Sequence, residues 1–442
     1  MMQSKTRKET TMPADPDTLL INPGGPLQGT ATVPGDKSIS HRTVMLGALA
    51  EGTSQVRGWL AAGDTQATLN AVRALGVLVE QPTTDTLVIH GGKLHAPTQP
   101  LNLVNAGTGL RLLAGILAGQ PFDTILTGSS QLCRRPMRRV TAPLREMGAN
   151  ITDNDGYPPL YIHPARLHGI RYPLPMPSAQ VKSALLLAGL FAQGPTTIIQ
   201  PGPARDHTER LLSAMGAHIQ LEDNTITLHP GNALRPIDLT VPGDFSSAAF
   251  LIVAASIVPA SQVTLRNISI NPTRTGLLDV LGQMGAHITV TAVGEAGGDP
   301  VGEIVVQSAA LGSTTVSGDD VVRMIDEFPL LMVAALCAHG TTEVRDAREL
   351  RVKESDRIAV MAGELRKLGA VIEEREDGFC ITGPQRLRGA TVSAHDDHRV
   401  AMSLVVAGLI AEGSTTILGA ACIADSFPGF ANTLQTLGAT IR

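Results

Sequence analysis

The chain has few cysteines for its length, and their spacing excludes a disulfide-rich or metal-binding class of protein. The 442 residues include four cysteines, with no C-x-x-C pair among them: Cys133, Cys337, Cys380 and Cys422. Single, scattered cysteines are typical of proteins from a reducing compartment. We therefore expect a cytoplasmic protein with no metal ion.

Long apolar runs are also missing. The longest, from Ala248 to Val258, is too short to cross a bilayer, which takes about 20 residues. Residues 1–16 are polar, carry several basic residues and lack the apolar segment of a secretory signal. We expect residues 1–16 to be a disordered tail, and we expect no association with a membrane.

Aromatic residues and net charge are both low. Aromatic residues make up 3% of the chain, so the core must be aliphatic, and the formal net charge of −5 argues against a general nucleic-acid binder. The basic residues are nevertheless clustered in two groups, Arg134, Arg135, Arg138 and Arg139, and Arg351, Lys353 and Arg357. Local basic clusters in a mildly acidic protein suit small anionic ligands.

Common nucleotide-binding and hydrolase motifs are absent. The sequence contains no G-x-x-x-x-G-K-[ST], no G-x-G-x-x-G after a strand and no G-x-S-x-G. We therefore expect no cofactor.

A short phrase, Leu or Met followed by Gly and then Ala or Val, occurs six times along the chain. Successive copies are 72, 68, 69, 84 and 69 residues apart, with their glycines at Gly76, Gly148, Gly216, Gly285, Gly369 and Gly438. A glycine at this point favours the left-handed residue that ends a helix, and a strand can follow directly. The phrase therefore predicts six repeats, each with an amphipathic helix that ends there.

Each repeat also contains an earlier helix that is small and apolar on every side, which is typical of a buried helix. We predict these helices at 38–50, 108–118, 178–192, 246–257, 329–338 and 398–411. Each unit then has the order βαβαββ, and the fold class is α/β. A solenoid is the alternative, although solenoid repeats are usually about 20 to 45 residues long and have amphipathic helices.

The phrase Val-Pro-Gly-Asp opens the first unit at Val33–Asp36 and the fourth at Val241–Asp244. Six units opened by two such phrases predict two domains of three units, with the phrases as the crossings between them. We predict one domain at 35–243, a second at 244–442, and a strand at 17–34 that joins the C-terminal domain.

The buried helices carry their polar residues almost wholly at their N-terminal ends. A helix N-terminus favours anions through its unpaired amides and its dipole. The starts of the amphipathic helices add further charges, so the sequence predicts a site for several anionic groups. The candidate residues are Lys37, Ser38, Arg42, Gly107, Arg135, Ser178, Gln180, Arg205, Asp326, Lys353, Glu354, Arg357 and Arg399.

Two of the candidate carboxylates have simpler interpretations. Asp326 precedes a Phe-Pro pair at a helix start, where it could act as an N-cap. Glu354 lies between Lys353 and Arg357, and pairs on one helical face could be its whole purpose.

Eight phrases resemble those of the 5-enolpyruvylshikimate-3-phosphate synthase family, in the same order and from about Leu27 to the C-terminus. They are Asp36–Arg42, Asn105–Thr108, Arg135–Met137, Pro177–Ser183, Arg205–Glu209, Ile325–Pro329, Arg351–Arg357 and Asp397–Arg399. The residues of the Pro177–Ser183 and Arg351–Arg357 phrases are similar to those of the bacterial class II branch. The resemblance implies two inside-out α/β domains, each of three βαβαββ units.

The resemblance also implies a reaction. Phosphoenolpyruvate and shikimate 3-phosphate would give the 5-enolpyruvyl ether and phosphate by addition and elimination through a tetrahedral intermediate. These two small molecules would be the partners of a monomeric protein. Asp326 would accept the hydroxyl proton, while Glu354 and Lys37 would serve the C3 proton and the departing phosphate.

The same resemblance assigns the binding residues. Those implied for shikimate 3-phosphate are Lys37, Ser38, Arg42, Ser178, Gln180, Arg205, Asp326 and Lys353. Those implied for phosphoenolpyruvate are Lys37, Gly107, Arg135, Gln180, Arg357 and Arg399.

The chain departs from the family pattern at two places. Asp425 stands before Ser426-Phe427-Pro428, where some branches have a lysine that helps to bind phosphoenolpyruvate, and Arg138 stands where a glycine is usual. Gly107 is alanine in some members that tolerate glyphosate, a phosphonate that occupies the phosphoenolpyruvate place. Glycine at this position therefore predicts sensitivity to glyphosate.

Two other readings compete with this one. The sister enzyme that transfers enolpyruvate to UDP-N-acetylglucosamine has its reactive cysteine further upstream of its Arg-Pro pair than Cys133 is here, and it lacks the Lys-Ser-x-x-x-Arg phrase. A non-catalytic anion-binding protein would have lost Asp326, Glu354 or Lys37, and all three are present.

Overall fold

The computed structural model describes residues 17–442. The predicted tail, residues 1–16, lies outside the described residues. Within them, 24 strands form six sheets of four strands each. In chain order the strands are β1 (Thr18–Asn22), β2 (Gln28–Ala31), β3 (Gly52–Arg57), β4 (Leu78–Thr83), β5 (Thr86–Gly91), β6 (Leu101–Asn102), β7 (Thr124–Thr127), β8 (Asn150–Asn154), β9 (Tyr157–His163), β10 (Arg171–Pro173), β11 (Thr196–Ile199), β12 (His218–Glu222), β13 (Thr225–His229), β14 (Asp238–Thr240), β15 (Gln262–Ser269), β16 (His287–Ala296), β17 (Asp299–Gln307), β18 (Thr315–Val316), β19 (Gly340–Val344), β20 (Glu373–Arg375), β21 (Gly378–Gly383), β22 (Thr391–Ser393), β23 (Thr415–Leu418) and β24 (Thr440–Ile441).

Fourteen α-helices lie between these strands in the described part of the chain, with two 3₁₀ turns at Arg348–Val352 and Ala420–Asp425. The helices are α1 (Lys37–Leu49), α2 (Gly63–Ala74), α3 (Gly107–Ala118), α4 (Ser130–Cys133), α5 (Arg138–Glu146), α6 (Ala179–Gly189), α7 (His207–Ala214), α8 (Phe245–Ile257), α9 (Gly276–Gln283), α10 (Asp319–Arg323), α11 (Phe328–Cys337), α12 (Arg357–Lys367), α13 (His398–Ile410) and α14 (Phe430–Thr436).

The predicted repeat is confirmed. The six apolar helices are α1, α3, α6, α8, α11 and α13, and they lie inside; in α8 every residue from Phe245 to Ser256 is buried. Each amphipathic helix ends before the predicted glycine, and the six glycines have φ between +83° and +111°. A side chain rarely adopts that conformation, which is why glycine recurs at this position.

The buried side chains form two separate aliphatic cores. One draws its residues from Ile39 to Val241, and the other from Phe245 to Ile441 together with Ile21, Leu27 and Ala31. We call the elements around the first core the first half and those around the second core the second half. Each half contains three of the six sheets, as the α/β fold of two three-unit domains requires.

Three sheets are completed by a strand from a distant part of the sequence. Strand β14 pairs in parallel with β3 in the first sheet of the first half. Strand β2 pairs in parallel with β15, and β1 lies between β23 and β24 in the last sheet. The segment 17–34, which the sequence predicted as one strand, thus contains two. Pro23-Gly24-Gly25-Pro26 separates them, because proline has no amide to donate to a sheet.

The two Val-Pro-Gly-Asp phrases lie side by side where the chain passes between the halves. The Asp36 amide donates to the Pro242 carbonyl at 2.8 Å, and the Asp244 amide donates to the Pro34 carbonyl at 2.9 Å. Both aspartates cap the helix that follows, as predicted for Asp36. The buried Arg274 guanidinium lies 3.4 Å from Asp36 and 3.2 Å from Asp244, so one cation holds both crossings.

Candidate active site

A cleft of about 990 Å³ lies between the two halves. Its walls contain the starts of α1, α3 and α6 from the first half and of α12 and α13 from the second. Twelve of the thirteen candidate residues line it: Lys37, Ser38, Gly107, Arg135, Ser178, Gln180, Arg205, Asp326, Lys353, Glu354, Arg357 and Arg399. Residues up to 362 positions apart in the sequence therefore meet in one cavity.

Arg42 is the one candidate that does not line the cleft. Its side chain is buried behind the wall, where Nε donates to Thr208 at 2.7 Å and the two terminal nitrogens donate to the Ser38 carbonyl and the Ser183 hydroxyl, both at 2.9 Å. Arg42 therefore supports the first turn of α1 from within the first half.

Capping side chains explain why the helix starts face the cleft. The Asp36 carboxylate accepts from the Ile39 amide at 2.9 Å, and the Asp397 carboxylate accepts from the Arg399 amide at 3.0 Å. Capping by side chains satisfies only part of the four amides that a helix N-terminus leaves unpaired. The remaining amides and the helix dipoles make the cleft attractive to anions.

Asp326 is held by arginines from both halves. It forms ion pairs with Arg205 of the first half and, at 3.2 Å, with Arg357 of the second, while Arg399 lies 3.6 Å away. Burial would raise the pKa of this carboxyl, but Arg399, Arg205, Lys353 and Arg357 hold it well below its usual value. The residue at the N-cap of α11 is Glu327, so the capping interpretation of Asp326 is wrong.

Glu354 is the second of the two candidate carboxylates, and it also bridges the halves. It lies 2.7 Å from Arg357 and 3.3 Å from Arg135. Burial favours the neutral form, yet Arg357 and Arg135 hold its pKa well below the usual value. The expectation that Glu354 shares a helical face with Lys353 and Arg357 is wrong. Glu354 lies in the bend between a 3₁₀ turn and the start of α12, and Asp356 caps that helix.

Three cations of the cleft, Arg111, Arg134 and Lys353, have no carboxylate within ion-pair distance in residues 17–442. Burial lowers the pKa of Lys353. Burial and the neighbouring Arg135 and Arg139 lower the pKa of Arg111 to about 9, and its guanidinium donates to the Gln180 side chain at 2.8 Å. A bound anion reduces the repulsion between neighbouring cations of this kind.

Lys37 faces an acidic residue that the sequence analysis did not select. Its ammonium lies 3.2 Å from Asp64, at the start of α2. Burial would raise the pKa of Asp64, but Lys37 and His41 hold it below the usual value.

Arg274, which also lines the cleft, was missed as well. Asp64 and Arg274 precede or begin the amphipathic helix of their units, the same place that Arg135, Arg205 and Glu354 occupy in theirs. This shared position within the repeat is the signal that could have found both residues.

The two departures from the family pattern lie outside the cleft lining. The Asp425 carboxylate lies against the start of α2, 3.3 Å from the point where a Cβ on Gly63 would be. Burial and the nearby Asp64 raise the pKa of Asp425. Arg138 begins α5 and packs over the turn at Gly156.

Two kinds of feature are absent from residues 17–442. None of their helices has the length and apolarity that a membrane span requires. Their His, Cys, Asp and Glu side chains form no group of three or more that could hold a metal ion.

Six βαβαββ units in two halves, around a cleft lined by cations and carboxylates, define the enolpyruvyl transferase class of proteins. A solved structure of EPSP synthase from Acinetobacter baumannii aligns with a TM-score of 0.88 at 46% identity, covering 96% of this chain and 99% of that one.

Sequence comparison gives the family. The sequence model of the family described as EPSP synthase (3-phosphoshikimate 1-carboxyvinyltransferase) matches residues 21–434. The 3-phosphoshikimate 1-carboxyvinyltransferase of Halorhodospira halophila is 52% identical over 95% of both chains. That of Acidithiobacillus ferrooxidans is 51% identical over 95% of this chain and 97% of its own. The chain belongs to the EPSP synthase family.

Proposed function

We propose that the chain transfers the enolpyruvyl group of phosphoenolpyruvate to the 5-hydroxyl of shikimate 3-phosphate and releases phosphate, a step of aromatic amino-acid biosynthesis. The observation that carries the proposal is the cleft itself. Cations from both halves surround two partly buried carboxylates, Asp326 and Glu354, and three further cations there lack a carboxylate partner within residues 17–442.

The two substrates divide the cleft between them. Shikimate 3-phosphate would be held by Lys37, Ser38, Ser178, Gln180, Arg205, Asp326 and Lys353, with Arg42 acting from behind the wall by holding the Ser38 carbonyl. Phosphoenolpyruvate would be held by Lys37, Gly107, Arg135, Gln180, Arg357 and Arg399. The crowded cations at Arg111, Arg135 and Arg139 support a phosphate and carboxylate site at the start of α3.

The chemistry needs proton transfer in both directions. In the addition, Asp326 accepts the proton of the 5-hydroxyl as that oxygen bonds to C2 of phosphoenolpyruvate, and C3 gains a proton from Glu354 or Lys37. In the elimination, the group that protonated C3, Glu354 or Lys37, takes a proton back from it, the C2–C3 double bond re-forms, and the C2–O bond to phosphate breaks. Lys37 stabilises the charge on the departing phosphate.

Bound substrate adjusts the basicity of the carboxylates. Arginines hold the pKa of Asp326 and of Glu354 well below their usual values, and a carboxylate in that state is a weak base. When phosphate and carboxylate groups of the substrates take up part of the same positive charge, the pKa of both side chains rises. Proton acceptance is thereby favoured only when both substrates are in place.

We further propose that the protein acts in the cytoplasm as a monomer. Its four cysteines are free thiols, which suits a reducing compartment. The proposed site is built from residues of one chain. Light scattering after gel filtration would test the assembly, and a dimeric mass would contradict it.

The function is tested by phosphate release from phosphoenolpyruvate with each of two acceptors. We expect release with shikimate 3-phosphate and none with UDP-N-acetylglucosamine. Release with the nucleotide sugar alone would assign the sister reaction. Binding of both proposed substrates without release would indicate a non-catalytic anion-binding protein.

A further inference from the structure

Three consecutive residues at the start of α7 each contact the opposite half. Arg205 forms its ion pair with Asp326, the Asp206 carboxylate accepts from the Asn271 side chain at 2.7 Å, and His207 Nδ1 lies 3.0 Å from both oxygens of Asp299. Thus the segment that carries a cleft cation is itself fastened to the second half.

The fastening is deeply buried. The side chains of His207 and Asp299 are both 0% exposed. The Asn271 amide donates to Asp299 as well as to Asp206, so one side chain links the two contacts. His207 Nε2 has no hydrogen-bond partner in residues 17–442, so His207 is held through Nδ1 alone. Buried hydrogen bonds of this kind fix the geometry of the groups that form them.

Arg205 has little other support. Residues 200–206, between β11 and α7, belong to no helix or strand, and the Arg205 side chain is 20% exposed. The first half holds this loop near the arginine through the Lys182 ammonium, which donates to the Ala204 carbonyl at 3.2 Å. The direction of the Arg205 guanidinium therefore depends on where His207 is held.

We propose that His207 and Asp299 are positioning residues that aim Arg205 at shikimate 3-phosphate and at Asp326. This inference rests on the proposed function, because it takes that substrate as the ligand of Arg205. The pair acts on one substrate only, since no phosphoenolpyruvate residue proposed above lies on the loop 200–206.

The test uses two replacements of the histidine with the full-length protein. His207→Leu removes the donor at similar volume, whereas His207→Asn keeps an amide nitrogen near the place of Nδ1. We expect His207→Leu to raise the KM for shikimate 3-phosphate, and its dissociation constant by calorimetry, about tenfold, which is the scale of coupling within one network. The KM for phosphoenolpyruvate should change less than threefold, and His207→Asn should stay within threefold of wild type throughout.

A double-variant cycle separates positioning from a general loss of structure. Once Arg205→Ala has removed the cation, His207→Leu should add little further loss, because there is nothing left for it to aim. Additive losses, or an equal rise in both KM values, would overturn the proposal. If His207→Leu does not fold, Asp299→Asn is judged by the same criteria.

The control is Asp238→Asn, which breaks an exposed ion pair with Arg57 far from the cleft and should leave both KM values within twofold. Wild-type protein that binds no shikimate 3-phosphate would refute the proposed function. If the wild type binds and converts shikimate 3-phosphate but the losses of the two variants are additive, only the positioning role is refuted.

Discussion

Gly107→Ala tests the anion site at the start of α3 with one added methyl group. A Cβ on Gly107 would lie 2.9 Å from a terminal nitrogen of Arg135 and 3.0 Å from one of Arg111. Ordinary contact begins at 3.4 Å, so the Arg135 guanidinium must retreat, and a shift of about 0.5 Å restores ordinary contact. The methyl group thus acts on the arginine as well as on any ligand beside it.

The expected effect is a large loss of glyphosate affinity. One methyl group in a tight site costs about 1–3 kcal/mol, which corresponds to a rise of roughly 10- to 200-fold in the inhibition constant. The KM for phosphoenolpyruvate should rise too, because its phosphate is proposed to meet the same guanidinium. Inhibition is measured against varied phosphoenolpyruvate at saturating shikimate 3-phosphate, and the wild type should show competitive inhibition.

Gly363→Ala is the matched control. Gly363 lies inside α12, and an added Cβ there meets no atom within 4 Å, so it tests the effect of alanine on a helix alone. Its kinetics should equal those of wild type. A wild-type enzyme that is indifferent to glyphosate, or a Gly107→Ala enzyme that is inhibited as strongly as wild type, would refute the reasoning.

Three further predictions concern single side chains. Asp326→Asn should lower turnover by about 10² or more, because the amide accepts no proton, and circular dichroism should show a folded protein; a small kinetic loss with a marked fall in melting temperature would contradict this. Burial lowers the pKa of His41 to about 3, so between pH 6.5 and 3 the unfolded chain binds a proton that the folded chain does not. Protonation of His41 in the unfolded chain should therefore lower the free energy of unfolding by about 2 kcal/mol at pH 5 relative to pH 7. The free energy of unfolding of His41→Asn, measured with urea, should depend less on pH. Burial raises the pKa of Cys337 to about 12, so iodoacetamide at pH 8 should label Cys337 more slowly than Cys133, and faster labelling of Cys337 by mass spectrometry would contradict this.

The fold could be predicted where the local signal repeats. Helices such as α3 and α13 were placed within one residue at each end, because apolar side chains on all faces and a terminal glycine are both visible in the sequence. The pairing of β1, β2 and β14 with distant segments was harder to predict, since a strand of three to five residues carries no mark of its partner.

The candidate site shows the same division. Lys37 and Arg399 were found because polar residues stand out at the start of an apolar helix. Asp64 and Arg274 were missed because their roles depend on distant contacts. Asp64 pairs with Lys37, which is 27 positions away, and Arg274 pairs with Asp36, which is 238 positions away. Arg42 was expected at the surface of the cleft, and only the packing of Thr208 and Ser183 around it reveals that it is buried.

The position of β1 has a consequence for the order in which the molecule is completed. This strand is synthesised before its partners β23 and β24, which follow it by about four hundred residues. A fragment that begins after residue 243 would lack the strand that joins β23 to β24 and also the strand that flanks β15. By contrast, residues 35–243 contain every strand of their own three sheets. Synthesis from the N-terminus therefore lets the first half complete its sheets early. The last sheet of the second half can form only after β23 and β24 have been made and have paired with β1. Such long-range closure is slow.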